Sequence, residues 1–180
     1  MKETSMIEKT VASTPIYDGK IIQVQVDEVE LPNGKTAKRE IVHHPGAVAV
    51  MAITQENRMV MVRQFRKPLE RTIVEIPAGK LEPGEEPEVC AGRELREETG
   101  YTYTSLRHQA SFYTSPGFAD EIVHLYRAEG VTPGEAQPDD DEFVELLHVT
   151  VEEAQELIAS GDIRDAKTIL AVYAWQLDQK

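Results

Sequence analysis

The sequence predicts a fold of α/β or α+β type, in which helices pack against the faces of a mixed β-sheet. Its 180 residues are enough to bury one hydrophobic core. Hydrophobic residues make up 41% of the chain and charged residues 28%, which is an ordinary globular composition. The predicted elements run in the order strands, helix, strands, helices, and no internal repeat or flexible linker divides them.

An N-terminal β-hairpin is predicted over residues 21–43. Ile22, Val24 and Val26 alternate with polar residues, as in a strand with one buried face. Asn33-Gly34 is a turn signal between this strand and the one that follows it.

Three apolar, β-branched runs predict further strands at residues 46–54, 59–65 and 71–76. The first two runs are joined across the polar residues 55–58, so they are expected to form a second hairpin. Pro77 ends the third run.

Capping signals predict three helices. Pro87 suits the first turn of the first helix, and Gly100 suits the left-handed residue just past its end. Thr150 and Glu153 form a capping-box signal for the second helix, and Asp165 is the expected N-cap of the third. Between the first and second helices, strands are expected at 106–114, 121–128 and 142–149.

Charge and composition exclude several classes of function. The net charge of −13, from 19 basic and 32 acidic side chains, repels polyphosphate backbones, so nucleic-acid binding is not expected. No apolar run reaches the roughly 18 residues of a membrane span, and the N-terminus has no signal-peptide core. The single cysteine, Cys90, allows neither an internal disulfide nor a cysteine-rich zinc site. A cytoplasmic protein is expected.

Three glutamates on the first helix are the main candidates for chemistry. At about 100° per residue, Glu94, Glu97 and Glu98 share one arc of the helix. Like charges at i,i+4 repel, and a divalent cation with oxygen ligands would reverse that sign. The alternative is a solvated acidic face. The loop in front of the helix, bracketed by Gly79 and Gly84, favours the cation.

The spaced residues of this stretch resemble the Nudix box. The matching positions are Gly79, Glu85, Arg93-Glu94-Leu95, Glu97-Glu98 and Gly100, and the final slot, usually aliphatic, holds Tyr101. The resemblance implies the Nudix fold and a loop–helix–loop that binds Mg2+, or Mn2+ in its place, and hydrolyses a nucleoside diphosphate linked to another moiety. It implies that Glu94 and Glu98 are metal ligands, that Glu97 is a ligand or a base, and that Arg93 is a structural partner of Glu85.

The residues before the box resemble one subfamily, the ADP-ribose pyrophosphatases. Residues 75–80 read Glu-Ile-Pro-Ala-Gly-Lys, and the resemblance implies that the backbone carbonyl of Ala78 is a further metal ligand. Pro116 lies where this subfamily has a marker proline, although Ser-Pro-Gly would form a turn regardless. The implied reaction is hydrolysis of ADP-ribose to AMP and ribose 5-phosphate.

Residues outside the box are expected to bind the substrate or to move a proton. Arg39 and Arg66 suit a diphosphate because a guanidinium binds phosphate oxygens in pairs, although either could be a surface arginine. Glu75 is a candidate for a ribose hydroxyl. By resemblance, Glu142 is the catalytic base on a loop, with Asp139 and Asp141 as alternatives and a solvated acidic loop as the plain interpretation.

The resemblance also implies an organisation and an assembly. Residues 1–44 are expected to form a strand or hairpin extension that mediates a homodimer, and residues 45–180 the Nudix domain. Two alternatives stay open: hydrolysis of another nucleotide, such as a GDP-sugar, a dinucleotide or an oxidised nucleotide, and a non-catalytic sensor of ADP-ribose. A sensor is expected to lose box glutamates or to carry a DNA-binding extension, whereas this sequence keeps every acid, is strongly acidic and has no expected extension after Lys180.

Overall fold

The structure is a computed structural model that describes residues 6–136 and 143–179. These residues form ten strands, one short 3-10 turn at Lys67–Leu69 and three α-helices. The strands are β1 Lys9–Asp18, β2 Gln23–Glu30, β3 Thr36–His43, β4 Ala47–Ala52, β5 Met59–Arg66, β6 Arg71–Glu75, β7 Ala78–Lys80, β8 Ser105–Tyr113, β9 Ile122–Glu129 and β10 Glu145–Val149; the helices are α1 Pro87–Thr99, α2 Val151–Ser160 and α3 Ala166–Asp178.

The strands form three sheets, with the orders β1-β2-β3, β10-β5-β6 and β7-β4-β9-β8. The third sheet is mixed, because β4 runs parallel to β9 and antiparallel to β7. The predicted N-terminal hairpin is confirmed: β2 and β3 pair from Gln23 opposite His43 to Glu30 opposite Thr36. Strand β1, which pairs with β2, was not predicted from the sequence.

The second predicted hairpin is wrong. A tight turn does join β4 to β5, where the Thr54 N–H donates to the Arg58 carbonyl over 2.8 Å. Beyond the single bridge between Ile53 and Met59, however, the two strands enter different sheets. Strand β4 and the first half of β5 are buried on both faces, so their apolar runs indicate burial and do not identify the neighbouring strand.

The chain divides into two compact units. One contains the chain up to Gly46 together with Tyr113–Ile122, and the other contains Ala47–Phe112 and the chain from Val123 onward. In the first unit, the Val42 N–H donates to the Phe118 carbonyl over 2.8 Å, which joins β3 to the turn after β8. The proposed boundary between residues 44 and 45 stays a prediction.

The core of the second unit lies on both sides of β4. Val48 and Val50 pack with Cys90 and Leu95 of α1 in one buried cluster. Ala49 and Met51 point to the opposite side, into a cluster that includes Ala171, Val172 and Trp175 of α3. Successive side chains of a strand point to opposite faces, so β4 is covered by helices on both sides. Among the helices of the described residues, none is long and apolar enough to cross a lipid bilayer.

The helix ends agree with the capping signals. Pro87 begins α1, and Gly100 ends it with φ of 75°, a left-handed conformation that costs glycine little. Thr150 and Glu153 form the capping box of α2. The side chain of Asp165 caps α3 by accepting the Thr168 N–H over 2.9 Å.

Tyr101 follows Gly100 in the slot where the box usually has an aliphatic residue. Its side chain is 7% exposed and packs in the cluster beneath α1. Its hydroxyl makes a 2.7 Å hydrogen bond with Nε2 of His148 on β10, so the polar end of the larger ring has a partner.

Candidate active site

A short strand, a tight loop and a helix build the candidate site. Strand β7 pairs with β4, placing Ala78 opposite Ala49 and Gly79 opposite Val48. The loop after β7 closes on itself where the Glu85 N–H donates to the Glu82 carbonyl over 3.0 Å. Because the apolar side of α1 packs against β4, its acidic side is held beside β7.

Gly79 and Glu94 are in direct contact. A Cβ atom at position 79 would overlap the carboxyl group of Glu94. The side chain of Glu94 is only 13% exposed, so the carboxylate occupies the space that a larger residue would fill. This is the physical reason for a glycine at the first position of the box.

Glu98 lies one turn further along α1 and reaches the residue before Gly79. Its Oε2 accepts the backbone N–H of Ala78 over 3.1 Å, and the residue is 7% exposed. Glu94 and Glu98 therefore hold two consecutive residues of β7, and both carboxylates lie beside the same short backbone segment.

Arg93 links the loop to the helix. Its Nε and Nη2 donate to the two carboxylate oxygens of Glu85, each over 2.9 Å. Its Nη1 donates to Glu94 over 2.8 Å and to Glu97 over 2.9 Å. One guanidinium thus contacts three carboxylates and can neutralise only one of them, which leaves an excess of negative charge at this end of the site.

This cluster shifts the pKa values of its members. The hydrogen bond from Arg93 is the main reason that the pKa of Glu85 falls from 4.5 to about 2. The same hydrogen bond raises the pKa of Arg93. Burial raises the pKa of the Cys90 thiol to about 12, so this thiol is protonated at neutral pH and is not a nucleophile.

The residues fit a hard divalent cation by their chemistry. The carboxylates of Glu94, Glu97 and Glu98 and the backbone of Ala78 offer oxygen atoms, which Mg2+ prefers. Within the described residues, no three acidic, histidine or cysteine side chains are already gathered around one point. Arg93 and the Ala78 N–H hold the carboxylates instead, and a cation would compete with these donors for the same oxygens.

A second charged cluster joins the last residue of β5, Arg66, the last residue of β6, Glu75, and Lys167 of α3. Glu75 is 3% exposed, and its Oε2 accepts Nε of Arg66 over 2.6 Å. Its Oε1 accepts Nζ of Lys167, from α3, over 2.7 Å. Sequence reasoning selected Arg66 and Glu75 but missed Lys167. The signal for Lys167 was weak: a lysine in the first turn of a helix, where the helix dipole disfavours a cation.

The remaining candidates lie in the first unit or outside the described residues. Arg39 lies in the first unit, where it forms a two-point ion pair with Glu8 at 2.6 and 2.8 Å. Pro116 lies in a turn of the same unit, in which the Phe118 N–H donates to the Ser115 carbonyl. Glu142, Asp139 and Asp141 lie outside the described residues.

Comparison with family models and relatives identifies related proteins. Residues 42–172 match the NUDIX domain, and residues 8–42 match the nucleoside diphosphate sugar hydrolase N-terminal domain. An ADP-ribose pyrophosphatase of Bacillus subtilis is 59% identical over 97% of this chain and 96% of its own length. A methanol dehydrogenase activator of Bacillus methanolicus is 58% identical over 96% of this chain and 94% of its own length.

A solved structure has the same fold. The crystal structure of an ADP compounds hydrolase superposes with a TM-score of 0.83 at 18% identity, covering 96% of this chain and 95% of that one. At this identity the likeness shows the fold alone. The resemblance inferred from the box and the predicted fold class are both confirmed.

The contact between Gly79 and Glu94 gives a testable prediction. In Gly79→Ala the new methyl group displaces the Glu94 carboxylate, and we expect the affinity for Mg2+ and Mn2+ to fall by about tenfold or more. Isothermal titration calorimetry with each cation measures this. Gly34→Ala is the control, because Gly34 has φ of 78° in open space, so the change strains a turn without moving a carboxylate. Wild-type cation affinity in Gly79→Ala would contradict the assignment of Glu94.

The lowered pKa of Glu85 predicts a pH dependence of stability. Between pH of about 2 and 4.5, the unfolded chain binds a proton at this residue that the folded chain does not. The stabilisation is therefore complete above pH 4.5 and is lost as the pH falls through about 2. We expect Glu85→Gln to be less stable than wild type at pH 7 and to lose less stability across this window.

Urea unfolding of both proteins at a series of pH values from 7 to 2.5 tests the prediction. Glu156→Gln, an exposed position in the middle of α2, is the control and should follow wild type. Parallel stability curves for Glu85→Gln and wild type below pH 4.5 would show that the Arg93–Glu85 pair does not act in this way.

Proposed function

This chain belongs to the Nudix family, and we propose that it hydrolyses the pyrophosphate bond of ADP-ribose, in a reaction that depends on Mg2+ and yields AMP and ribose 5-phosphate. The observation that carries the proposal is the convergence of Glu94 and Glu98 on Gly79 and Ala78. Similarity to the Bacillus subtilis ADP-ribose pyrophosphatase over nearly the full length of both chains supports the choice of substrate.

The chain's own residues have distinct parts in this reaction. Glu94, Glu98 and the carbonyl of Ala78 would hold Mg2+, and Glu97 would be a further ligand or a base. Bound Mg2+ supplies positive charge that offsets charge developing on phosphorus, and it acidifies the attacking water. Arg93 fixes Glu94 and Glu97, one and four residues after it, because its Nη1 donates to both. Glu142, or Asp139 or Asp141 in its place, is proposed to take the proton from water.

Substrate binding is assigned to residues at the ends of β5 and β6 and in the first unit. Arg66 is proposed to bind the diphosphate, since its side chain is 38% exposed and its Nη1 and Nη2 have no hydrogen-bond partner among the described residues. Glu75 takes part in the same site through its bond to Arg66. Arg39 and Pro116 are proposed as substrate-binding residues on the resemblance alone.

A panel of nucleotides tests the substrate. The purified protein with Mg2+ is incubated with ADP-ribose, a GDP-sugar, a dinucleotide and an oxidised nucleotide, and the products are separated by chromatography. We expect ADP-ribose to have the highest kcat/KM. A higher value for another compound would reassign the substrate, and binding without hydrolysis would favour a sensor.

Replacing one ligand tests the metal assignment. Glu98→Gln keeps the size of a buried side chain but removes the charge that would bind the cation, so we expect kcat to fall by several orders of magnitude with little change in the unfolding temperature. Glu88→Gln makes the same chemical change at an exposed position of α1, and its turnover should match wild type. Near wild-type turnover in Glu98→Gln would remove the basis for the mechanism.

We also propose that the chain forms a homodimer through β1. All ten residues of this strand are exposed, and Val11, Ile16 and Tyr17 are each more than half exposed. The strand is at the edge of its sheet and therefore presents unpaired backbone groups beside apolar side chains. A second copy of the chain could cover this surface through a symmetric pairing of the two β1 strands.

Sedimentation velocity tests the dimer. Wild type is expected to sediment as a dimer, and the double variant Val11→Glu, Ile16→Glu as a monomer, because burying two carboxylates opposes association. A double variant at the exposed helix positions Tyr173→Glu and Leu177→Glu controls for added charge and should stay dimeric. A monomeric wild type at micromolar concentration would contradict the proposal.

A further inference from the structure

Glu75 is a buried carboxylate held by two cations from different parts of the chain. It is 3% exposed, so an unpaired charge at this place would be strongly unfavourable. Each oxygen has one cationic partner: Arg66, nine residues earlier, and Lys167, 92 residues later. Lys167 therefore contributes to the electrostatics of a site that is otherwise built from strands.

The two cations differ in what they can reach. The Lys167 side chain is 13% exposed, and its Nζ donates both to Glu75 and to Asp165, the latter over 3.0 Å. The Arg66 side chain is 38% exposed and bonds Glu75 through Nε alone, so Nη1 and Nη2 remain available to a ligand. Only Arg66 is placed to contact a ligand.

Arg66 contacts the backbone segment that also carries the candidate metal site. It bonds Glu75, and three residues after Glu75 the Ala78 N–H bonds Glu98. Burial lowers the pKa of Arg66, but the hydrogen bond to Glu75 and the charges of Glu75, Glu98 and Asp165 together raise it by more. An arginine is charged in any case, so the relevant point is its proximity to Glu98. A diphosphate bound by cations at Glu98 would be near the outward face of Arg66.

Lys167 is itself held firmly. Asp165 accepts from the Thr168 N–H over 2.9 Å and from Nζ of Lys167, which fixes the first turn of α3. The hydroxyl of Thr168 accepts the Ile76 N–H over 3.0 Å and so ties this turn to the residue after Glu75. A lysine in a first turn opposes the helix dipole, so the stability of α3 does not account for it.

We propose that Lys167 is a positioning residue for Arg66. By occupying Oε1 of Glu75, it restricts Arg66 to the single bond from Nε to Oε2 and so leaves both Nη groups of the arginine available to the diphosphate. Without Lys167, Oε1 of Glu75 is vacant and can accept Nη2 of Arg66 beside the existing bond from Nε, and this two-point pair takes a donor away from the diphosphate. This inference rests on the proposed function, since it assigns Arg66 to the substrate.

Steady-state kinetics of Lys167→Met, on the best substrate of the nucleotide panel, tests the inference. We expect KM to rise about tenfold, the loss of a charge-assisted contact to substrate, with kcat changed by no more than about threefold. Lys167→Arg, which restores a cationic donor to Glu75, should recover most of the affinity. Lys67→Met is the matched control, because Lys67 is exposed and pairs only with the exposed Glu70 among the described residues.

A double-mutant cycle with Arg66→Met separates positioning from a general structural role. If Lys167 acts through Arg66, the change Lys167→Met should raise KM in the wild-type background and leave it unchanged in the Arg66→Met background. Equal effects in both backgrounds would overturn the inference. So would a wild-type KM in Lys167→Met, or a loss of kcat and unfolding temperature with KM unchanged.

A variant that does not fold and an inactive wild-type protein are two further outcomes of these experiments. If Lys167→Met does not fold, Lys167→Ser replaces it, because serine suits the first turn of a helix and is too short to bond Oε1 of Glu75; a folded Lys167→Ser with wild-type KM overturns the inference. If the wild-type protein hydrolyses no compound of the panel, the proposed function fails and this inference fails with it. Hydrolysis by wild type with an unaffected Lys167→Met overturns the inference alone.

Discussion

The site depends on the immobilisation of one five-residue segment, residues 75–79, between two helices. Residues 76 and 77 lie between β6 and β7 and are not part of a strand. Nevertheless, every residue of the segment has a specific partner. Glu75 bonds Arg66 and Lys167, and the Ile76 N–H bonds Thr168. The Pro77 carbonyl accepts the Val50 N–H. The Ala78 N–H bonds Glu98, and Gly79 contacts Glu94. Helix α3 fixes the first two residues, and helix α1 fixes the last two.

This arrangement gives the sequence of the segment a physical meaning. Proline at position 77 has no N–H to satisfy, and its carbonyl is used by β4 over 2.8 Å. Glycine at position 79 admits a carboxylate that any side chain would exclude. The glutamate at position 75 is buried, so its charge requires the cations that hold it. The residues of this signature are thus the ones whose contacts restrict the type of side chain that the position can hold.

Sequence reasoning succeeded where the determining interactions are local. Glu94 and Glu98 share a helix face because of helical geometry, and the ends of α1 follow from Pro87 and Gly100. It failed where the partner lies far along the chain. The separation of β4 and β5 into two sheets depends on β9 and β10, which supply their neighbours. Strand β1 was missed because two irregularities in its register with β2 interrupt the alternation. Lys167 was missed because no spacing rule connects it with Glu75.

The net charge of the chain and the charges at the site act at different distances from a substrate. A protein with a net charge of −13 is poorly suited to attract a diphosphate at long range. At short range, the excess negative charge around Arg93 would favour a divalent cation, and the charge of a bound cation would in turn attract phosphate oxygens. Arg66, the last residue of β5, adds a fixed positive charge. In the proposed mechanism, the glutamates around Arg93 would select the cation, and the cation together with Arg66 would select the substrate.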